Sequence, residues 1–462
     1  MNLENLDKVT KEEILDFSPN FIGISATTIQ AYDMFHVAKV IRSLPRGDKY
    51  IIIAGGFHPT VEPELTLKEC PEVDLVCRGE GEFTMLEIVS GRELRKISGI
   101  TFREKGKFYS TADRSPFVEM DTFPFPARHL MDMKFYLASN RANNPGLPVR
   151  TTTLISSRGC PYNCKFCGSK SMHKKVKLYS WQYVVDEVEE LIETYQPKLL
   201  SFMDDMFLID RSRVEHICVY LIEKGLNKRI RWSCSVRVDA VDEKILNLMR
   251  ESGCVYIIYG LESGSQRMLD KMNKRTTVEQ NLRAVRLANK ARVLVNSAFI
   301  VNVPEEREED FLATLEFIKN NKIFMTNLNN LMPLPGSPYY TELAETGKLN
   351  TVNSFELWKY TGALPEYVDA VKEFPIYSSI PKEKFLELWK KGWEILEYKN
   401  NLNYVLFNWY RTPLVCLKIL IFWGSLIALG GKDSFAYHFV RNIYRATRKG
   451  LRILNRKLAQ RT

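Results

Sequence analysis

Residues 158–168 (RGCPYNCKFCG) decide the fold, because they place three cysteines within eight residues directly after an apolar run over residues 151–155. Three thiolates so close in sequence converge on one inorganic cluster only where the backbone turns tightly, and Gly159, Pro161 and Asn163 are turn residues. We therefore predict an iron–sulfur cluster with three protein ligands. Its fourth iron is left open, so it can hold and reduce a small molecule, whereas a four-cysteine cluster only carries electrons.

A zinc site and a disulfide are two other uses of these cysteines. A structural zinc site normally takes four protein ligands, and His173, across a lysine-rich loop, is the nearby residue that could complete one. A disulfide needs an oxidising compartment. The other six cysteines are scattered singly among apolar residues, as core residues are: Cys70, Cys77, Cys218, Cys234, Cys254 and Cys416. The sequence favours the cluster.

The Cys-x3-Cys-x2-Cys spacing after a strand, with aromatic Phe166 before the third cysteine, resembles the radical S-adenosylmethionine superfamily. The resemblance implies that Cys160, Cys164 and Cys167 bind a [4Fe–4S] cluster. It also implies that the open iron binds S-adenosylmethionine and cleaves it to a 5′-deoxyadenosyl radical, with Phe166 beside that cofactor.

The N-terminal residues alternate between strand and helix patterns. Strands are predicted at 21–25, 50–54 and 74–77, and helices at 31–43, 62–69 and 82–90. This alternation predicts a doubly wound α/β sheet, in which ligands bind at the carboxyl ends of the strands.

The residues at these strand ends resemble the cobalamin-binding domain that precedes the radical domain in one large subgroup of the superfamily. The resemblance rests on Ser25-Ala26-Thr27, on a Gly-Gly pair 27 residues later, and on a Gly-Glu-Gly-Glu segment. It implies these cofactor-binding residues: Ser25, Thr27, Gly55, Gly56, His58, Gly79, Glu80, Gly81 and Glu82.

One departure from that subgroup concerns its Asp-x-His-x-x-Gly motif, whose histidine can bind below the cobalt. The motif belongs after a first strand, and only 20 residues precede Phe21. Asp33 and His36 have the wrong spacing and fall within a helix pattern. We therefore expect a truncated domain that binds cobalamin weakly and without a histidine ligand, unless the natural start lies upstream.

Residues 99–111 alternate as a hairpin does, and residues 115–150 are rich in proline, which predicts a linker. From Thr151 a strand–helix pattern recurs six times. Strands are predicted near 152–156, 199–203, 230–235, 255–259, 296–301 and 326–332, and helices near 181–195, 211–224, 242–252, 264–271, 277–290 and 308–320. Six such units predict a partial (β/α)6 barrel of the TIM type, with its chemistry at the carboxyl ends of the strands.

Polar residues follow these six strands. The segments 202–207 (FMDDMF), 237–239 (RVD) and 259–264 (YGLESG) occur in the order in which the radical family shows them, which is a further resemblance. A cofactor with an α-amino group, a carboxylate and a ribose needs such partners. We assign Asp204 or Asp205 to the ammonium, Arg237 to the carboxylate and Glu262 to the ribose, with Ser233 nearby. Two alternatives remain open, namely that Asp205 caps the following helix and that Arg237 pairs with Asp239.

Residues 302–307 (NVPEER) stand where the family usually has Gly-x-Pro-Gly-Glu-Thr. Two glycines and the threonine are replaced, and glycine permits close backbone approach to a ligand. The fit of the methionyl end of the cofactor at this strand is therefore in question.

The C-terminal third is predicted to be helical over 346–411 and to cover the barrel. Residues 412–430 are apolar except for Lys418, and residues 431–462 hold nine Lys or Arg against Asp433, a charge of +8. An in-plane amphipathic helix with a basic tail on anionic headgroups fits these charges better than a membrane span. A core helix is the alternative.

The net charge of +10 lies mostly in this tail, so the body of the chain is near neutral and a nucleic-acid partner is not expected. Residues 1–8 do not resemble a secretion signal, which predicts a cytoplasmic protein, with contact to the inner face of the membrane through the tail.

We divide the chain into a truncated cobalamin-binding-like domain (1–98), a hairpin and linker (99–149), a radical barrel (150–345), a helical cap (346–411) and an apolar helix with a basic tail (412–462). The pattern is similar to that of the anaerobic magnesium-protoporphyrin monomethyl ester cyclases and hopanoid-modifying enzymes. It implies cobalamin-dependent methyl transfer to, or oxidative rearrangement of, a lipophilic small molecule, with flavodoxin or ferredoxin as reductant.

Two rival functions were considered. RNA methylthiotransfer shares the cysteine triad, but that family carries three further N-terminal cysteines, and only Cys70 and Cys77 precede Cys160 here. A membrane-docked electron-transfer or scaffold protein is favoured if the altered residues 302–307 abolish cofactor cleavage.

Overall fold

The computed structural model describes residues 11–117, 119–139, 149–349 and 375–408. Within these residues the backbone forms a five-stranded sheet, a six-stranded sheet and one small two-stranded ladder. In sequence, the cysteine loop follows the first strand of the six-stranded sheet and one strand of the small ladder.

The N-terminal sheet has three parallel strands, which are paired in register from Phe21 with Ile51 and from Ile53 with Leu75. Its strands are β1 (Phe21–Ser25), β2 (Ile51–Gly55) and β3 (Leu75–Cys77), and its helices are α1 (Ala31–Arg42), α2 (Phe57–Val61), α3 (Pro63–Glu69) and α4 (Glu82–Val89). The predicted strands and helices are confirmed, and the helix predicted over 62–69 is α3, which begins at Pro63; the short helix α2 before it was not predicted.

A hairpin of β4 (Ile100–Glu104) and β5 (Lys107–Ser110) continues this sheet, because β4 pairs antiparallel with β3. The strand order is β1-β2-β3-β4-β5. The boundary drawn at residue 98 therefore separates strands that hydrogen-bond to each other, and the hairpin belongs with the N-terminal sheet rather than with the linker.

The second sheet is parallel throughout, and its strands are β6 (Thr151–Leu154), β9 (Leu199–Phe202), β10 (Arg231–Val236), β11 (Cys254–Glu262), β12 (Leu294–Val301) and β13 (Met325–Asn330). Their order in the sheet is β13-β12-β11-β10-β9-β6. The two-stranded ladder is β7 (Ser157–Arg158) with β8 (Lys177–Leu178). The helices from residue 133 to residue 345 are α5 (Met133–Ser139), α6 (Ser169–Met172), α7 (Trp181–Tyr195), α8 (Arg211–Glu223), α9 (Glu243–Glu251), α10 (Gln266–Lys271), α11 (Val278–Lys290), α12 (Glu308–Asn320) and α13 (Pro338–Glu345). The predicted partial barrel is confirmed.

The barrel helices begin where short polar side chains cap them. Ser180, Asp210, Asp242, Ser265 and Thr277 each accept a hydrogen bond from a backbone N–H in the first turn of the following helix. Such caps satisfy donors that have no partner within the helix. Because the carboxylate of Asp210 caps α8, Asp205 is not needed for that purpose, and one alternative for Asp205 is removed.

The C-terminal helix α14 (Lys382–Asn408) packs on α12 and β13, at the edge of the barrel. Phe385 and Trp389 are buried there with their rings stacked, and a Cβ on Gly392 would come within 2.7 Å of the Leu328 side chain. The helical cap is thus partly confirmed, while residues 350–374 lie outside the described part. Among the described helices, none is both long and apolar enough to cross a membrane.

Replacing Trp389 with alanine should destabilise the barrel by about 3–5 kcal/mol, because the change leaves a large cavity between α14 and α12. Urea unfolding followed by far-UV circular dichroism measures the loss. Lys390→Ala, at an exposed position of the same helix, is the matched control. Equal effects of the two changes would show that α14 does not share the barrel core.

Candidate functional site

The three cysteines lie on a loop that leaves β7 at Gly159. Gly159 has a φ of +84°, and a Cβ there would meet the carbonyl oxygen of Lys175 at 3.0 Å, so the start of the loop favours glycine. Cys164 is buried, Cys160 is half-buried and Cys167 is exposed. The loop therefore presents thiols of different accessibility to one side of the barrel.

The thiols of the loop influence one another electrostatically. Burial raises the pKa of Cys164; the charges of Lys274 and Arg237 offset part of that increase, and the charge of Cys160 adds to it. A tetrahedral zinc would need ligands about 2.3 Å from one ion. Among the described residues, no three His, Cys, Asp or Glu side chains are close enough to hold a single ion. Three thiolates are the donor set of an iron–sulfur cluster with one open iron, whereas a structural zinc site normally takes four protein ligands.

Arg237, at the end of β10, stacks over the ring of Tyr162 with its guanidinium carbon 3.5 Å from the ring centroid. It also donates two hydrogen bonds to the carboxylate of Asp239 and one, of 3.0 Å, to the carbonyl oxygen of Lys274. The alternative in which Arg237 pairs with Asp239 matches the structure. Its guanidinium packs on the cysteine loop through Tyr162. Because it already donates to Asp239 and to the Lys274 carbonyl oxygen, it has few donors left for the carboxylate of a ligand.

Lys274 is a cation at this site that the sequence interpretation missed. Its ammonium donates to Oε1 of Glu262 over 2.9 Å and lies 5.8 Å from the ring centroid of Phe166. Both charged side chains are almost fully buried. Burial alone would lower the pKa of Lys274, but the charge of Glu262 and its hydrogen bond outweigh that effect and raise it. A stable cation thus sits beside Cys164, Phe166 and Glu262.

Two neighbouring aspartates after β9 have different roles. The carboxylate of Asp204 is buried and accepts hydrogen bonds from the N–H groups of Ser156 and Ser157, at 2.6 and 3.0 Å, and from the Ser156 hydroxyl. It joins the ends of β9 and β6. Asp205 is exposed and accepts a hydrogen bond from the hydroxyl of Ser169, just after Cys167. Asp205 is the one available to a ligand.

Ser233 is fully buried, and its hydroxyl donates to that of Ser201 over 3.2 Å. It lies within β10 rather than at the strand end. The structure therefore groups Phe166, Asp205, Glu262 and the cysteines around one face, while Ser233 and Asp204 support the strands behind it.

The turn after β12 has a left-handed backbone at the two positions where the family has glycine. Asn302 and Glu305, which replace the two family glycines, have φ angles of +65° and +66°. Glu306 caps the turn by accepting from the N–H groups of Asn302 and Val303 at 2.6 and 3.3 Å. The departure in sequence thus leaves the left-handed conformation intact.

The side chain of Asn302 hydrogen-bonds to the backbone of the segment before α14. Its amide oxygen accepts hydrogen bonds from the N–H groups of Tyr377 and Ser378, and its amide nitrogen donates to the carbonyl oxygen of Pro375 over 3.0 Å. Tyr377 is thereby buried in an apolar cluster that includes Phe166 of the cysteine loop. Asn302 fastens the segment before α14 to the end of β12.

At the end of the N-terminal strands, Ser25 and Thr27 are exposed and open to a ligand. A Cβ on Gly56 would meet the hydroxyl of Ser25 at 2.6 Å, so this glycine allows β1 and β2 to approach each other, while a Cβ on Gly55 would meet only the carbonyl oxygen of Cys77, at 3.8 Å. His58 is fully buried, and burial lowers its pKa to about 4. The structure therefore does not present His58 at the strand ends, where the sequence placed it.

The Gly-Glu-Gly-Glu segment turns towards the cysteine loop. Gly79 has a φ of +74° and donates its N–H to the hydroxyl of Thr60, and Gly81 precedes the first turn of α4. The carboxylates of Glu80 and Glu82 form ion pairs with basic residues on both sides of the cysteines. These two glutamates contact protein, where a contact with cofactor had been predicted.

Two family models match the chain. A model of the radical SAM superfamily matches residues 154–318, which include the cysteine loop and most of the barrel. A model of the B12-binding domain matches residues 2–89, which include the parallel strands of the first sheet.

Known proteins that resemble this chain belong to the same family as the two matching models. An uncharacterised methyltransferase of Pyrococcus horikoshii is 34% identical over 367 residues, which span 78% of this chain and 76% of that protein. The anaerobic magnesium-protoporphyrin IX monomethyl ester cyclase of Cereibacter sphaeroides is 27% identical, over 77% of this chain but 57% of the cyclase. The solved structure of the cobalamin-dependent S-adenosylmethionine radical enzyme OxsB has a TM-score of 0.64 at 17% identity, over 97% of this chain and 74% of that one.

Changing Asn302 to glycine should keep the backbone of the turn and release residues 375–378. The loss of three hydrogen bonds should cost about 1–3 kcal/mol and speed the exchange of the Tyr377 and Ser378 amide hydrogens. Glu305→Gly is the control, because it places glycine at the other left-handed position and removes only an exposed ion pair with Lys271. If both variants leave these amides equally protected, Asn302 does not fasten the segment.

Proposed function

The chain belongs to the cobalamin-binding group of the radical S-adenosylmethionine superfamily, and on that premise we propose that it methylates a lipophilic small molecule by radical chemistry. Its family cofactors are a [4Fe–4S] cluster, S-adenosylmethionine and cobalamin. Methyl transfer is favoured over rearrangement because the relative with 34% identity is described as a methyltransferase.

The observation that supports this proposal most is the contact between the two sheets at the cysteine loop. A Cβ on Gly168, the last residue of the loop, would lie 2.4 Å from the ring of Phe57, directly after β2. The carboxyl ends of the N-terminal strands therefore meet the loop that would hold the cluster. When bound, the cluster and S-adenosylmethionine supply a substrate radical, and cobalamin supplies a methyl group.

We assign the residues around the loop as follows. Cys160, Cys164 and Cys167 hold the cluster, and the exposed carboxylate of Asp205 binds the ammonium of S-adenosylmethionine. Lys274 takes the carboxylate that the sequence had assigned to Arg237, because one bond to Glu262 uses one of its three ammonium donors, whereas Arg237 makes two bonds to Asp239 and one to the Lys274 carbonyl oxygen. Glu262, oriented by Lys274, remains the partner of the ribose. Each contact pairs opposite charges or a carboxylate with hydroxyl groups.

The walls of the barrel mouth support a lipophilic substrate. Ile155 and Met203 follow β6 and β9 directly and are about half exposed, although both are apolar. Exposed apolar surface beside a strand-end site is typical of a binding surface. Contact with the inner face of a membrane and a cytoplasmic location remain proposals from sequence, because residues 412–462 lie outside the described part.

The two rival functions are less favoured. RNA methylthiotransfer does not account for the B12-binding domain match over residues 2–89. The scaffold hypothesis is favoured only if the altered residues 302–307 abolish cofactor cleavage, and Asn302 and Glu305 have the positive φ angles that glycine readily adopts. A reductant is still required, and flavodoxin or ferredoxin is our proposal for it.

Each single change among Cys160→Ala, Cys164→Ala and Cys167→Ala should abolish the four-iron cluster of anaerobically reconstituted protein, because each thiolate is a direct ligand. Iron content and the visible spectrum measure this. Cys218→Ala removes a buried thiol far from the loop and should keep all four irons. With dithionite, the wild type should release 5′-deoxyadenosine from S-adenosylmethionine. A variant of the triad that retains full iron would contradict the assignment.

Replacing Lys274 with methionine should raise the KM for S-adenosylmethionine by roughly tenfold or more, because a charged hydrogen bond is lost and Glu262 is left without its cation. Lys274→Arg should restore part of the affinity. Lys271→Met, which breaks a surface pair with Glu305, is the control. Iron content should not change in any of these variants. An unaltered KM in Lys274→Met would remove Lys274 from the cofactor site.

A further inference from the structure

Basic residues on both sides of the cysteine loop converge on two carboxylates of the N-terminal domain. Nδ1 of His173 lies 3.0 Å from Oε1 of Glu80, and the ammonium of Lys177 donates to Oε2 of the same residue. Arg158 pairs with Glu82 over 2.7 Å and lies 3.9 Å from Glu80. One glutamate thus contacts residues that precede and follow the three cysteines.

This network is shielded from water. The side chain of Lys177 is 1% exposed and that of Glu80 is 16% exposed. Burial alone would raise the pKa of Glu80, but hydrogen bonds from His173 and Lys177 outweigh it and lower the pKa to about 2. Glu80 is therefore ionised at neutral pH. Breaking one side of a buried ion pair is strongly unfavourable, because the other charge stays buried without a partner.

Close packing holds the same region independently of charge. A Cβ on Gly159 would lie 3.1 Å from Cβ of His173, and one on Gly168 would overlap the ring of Phe57. A Cβ on Gly336, in the loop after β13, would lie 2.8 Å from the hydroxyl of Ser171 and 2.9 Å from the side chain of Val61. The two sheets are therefore closely packed here, and the ion pairs add charged contacts to this packing.

We propose that Glu80 is a positioning residue that sets the place of the cluster loop relative to the carboxyl ends of the N-terminal strands. It does so through Lys177, His173 and Arg158, and it touches neither cofactor. Glu80 is 93 and 97 residues from His173 and Lys177 in sequence, so the pairing joins two separate units of the fold.

The inference rests on the proposed function in one respect, namely that the strand ends hold cobalamin. With cobalamin held at the strand ends, its methyl group would be delivered to a substrate radical formed beside the cysteine loop, so the spacing of the two sites would control the transfer. Loss of Glu80 should leave cleavage of S-adenosylmethionine intact and reduce methyl transfer. The ratio of 5′-deoxyadenosine to methylated product should therefore rise.

The test compares Glu80→Gln with Glu87→Gln in the full chain. Glu87 is also a glutamate of this domain, but it pairs with Arg92 and Arg114, away from the cysteine loop. Hydrogen exchange of the β7–β8 ladder, where Arg158 pairs with Lys177, reports the position of the loop without any cofactor. Exchange there should become about tenfold faster or more in Glu80→Gln and stay unchanged in Glu87→Gln, since only the first loses the anchor.

Further variants complete the test. Lys177→Met should act as Glu80→Gln does, and the double variant should be no worse than either single change, because both charges of the pair are then gone. If Glu80→Gln does not fold, His173→Gln serves in its place. It removes one hydrogen bond of the network and should increase the exchange rate of the β7–β8 ladder by a smaller factor. Unchanged exchange in Glu80→Gln, together with weaker binding of added hydroxocobalamin, would overturn the proposal and make Glu80 a cofactor ligand. Absence of methyl transfer in the wild type, with the exchange result as expected, would overturn the proposed function alone.

Discussion

The close contact between a short cysteine loop and the ends of two parallel sheets is the constraint on which the rest of the structure depends. Glycines at both ends of the loop, Gly159 and Gly168, permit this contact because neighbouring atoms occupy the space that a side chain would need. Contacts on both sides of the loop limit how far its backbone can move. The position of the loop that would hold the cluster is therefore set by packing.

Buried charges complete this arrangement. Arg237 and Lys274 support the loop from the barrel side, and the Glu80 network supports it from the N-terminal side. Each cation has a carboxylate partner, so the desolvation cost of burial is offset locally. The positive residues next to the cysteines also suit a site that gathers several thiolates. Support of the loop and its electrostatic environment thus come from the same side chains.

Sequence periodicity predicted the strands and helices well, since apolar alternation depends on local burial. The bounds of α7 and α12 agree with the expected helices, and the six barrel strands lie where they were expected. Side-chain direction was harder to predict. Lys274 sits in a loop without a periodic signal, and its partner Glu262 is set by the fold. Glu80 was assigned to a cofactor because its ion pairs connect residues more than 90 positions apart. Asn302 looked like a departure, yet asparagine tolerates the left-handed backbone that glycine favours.

We place the bound cluster and bound cobalamin on facing sides of one interface. Electron paramagnetic resonance of protein loaded with both, with the cluster reduced and the cobalt in its divalent state, measures this placement. Each signal should be split or broadened by the other spin, and Cys164→Ala should remove this effect from the cobalt signal. Two unperturbed signals from fully loaded protein would show that the two groups do not face each other.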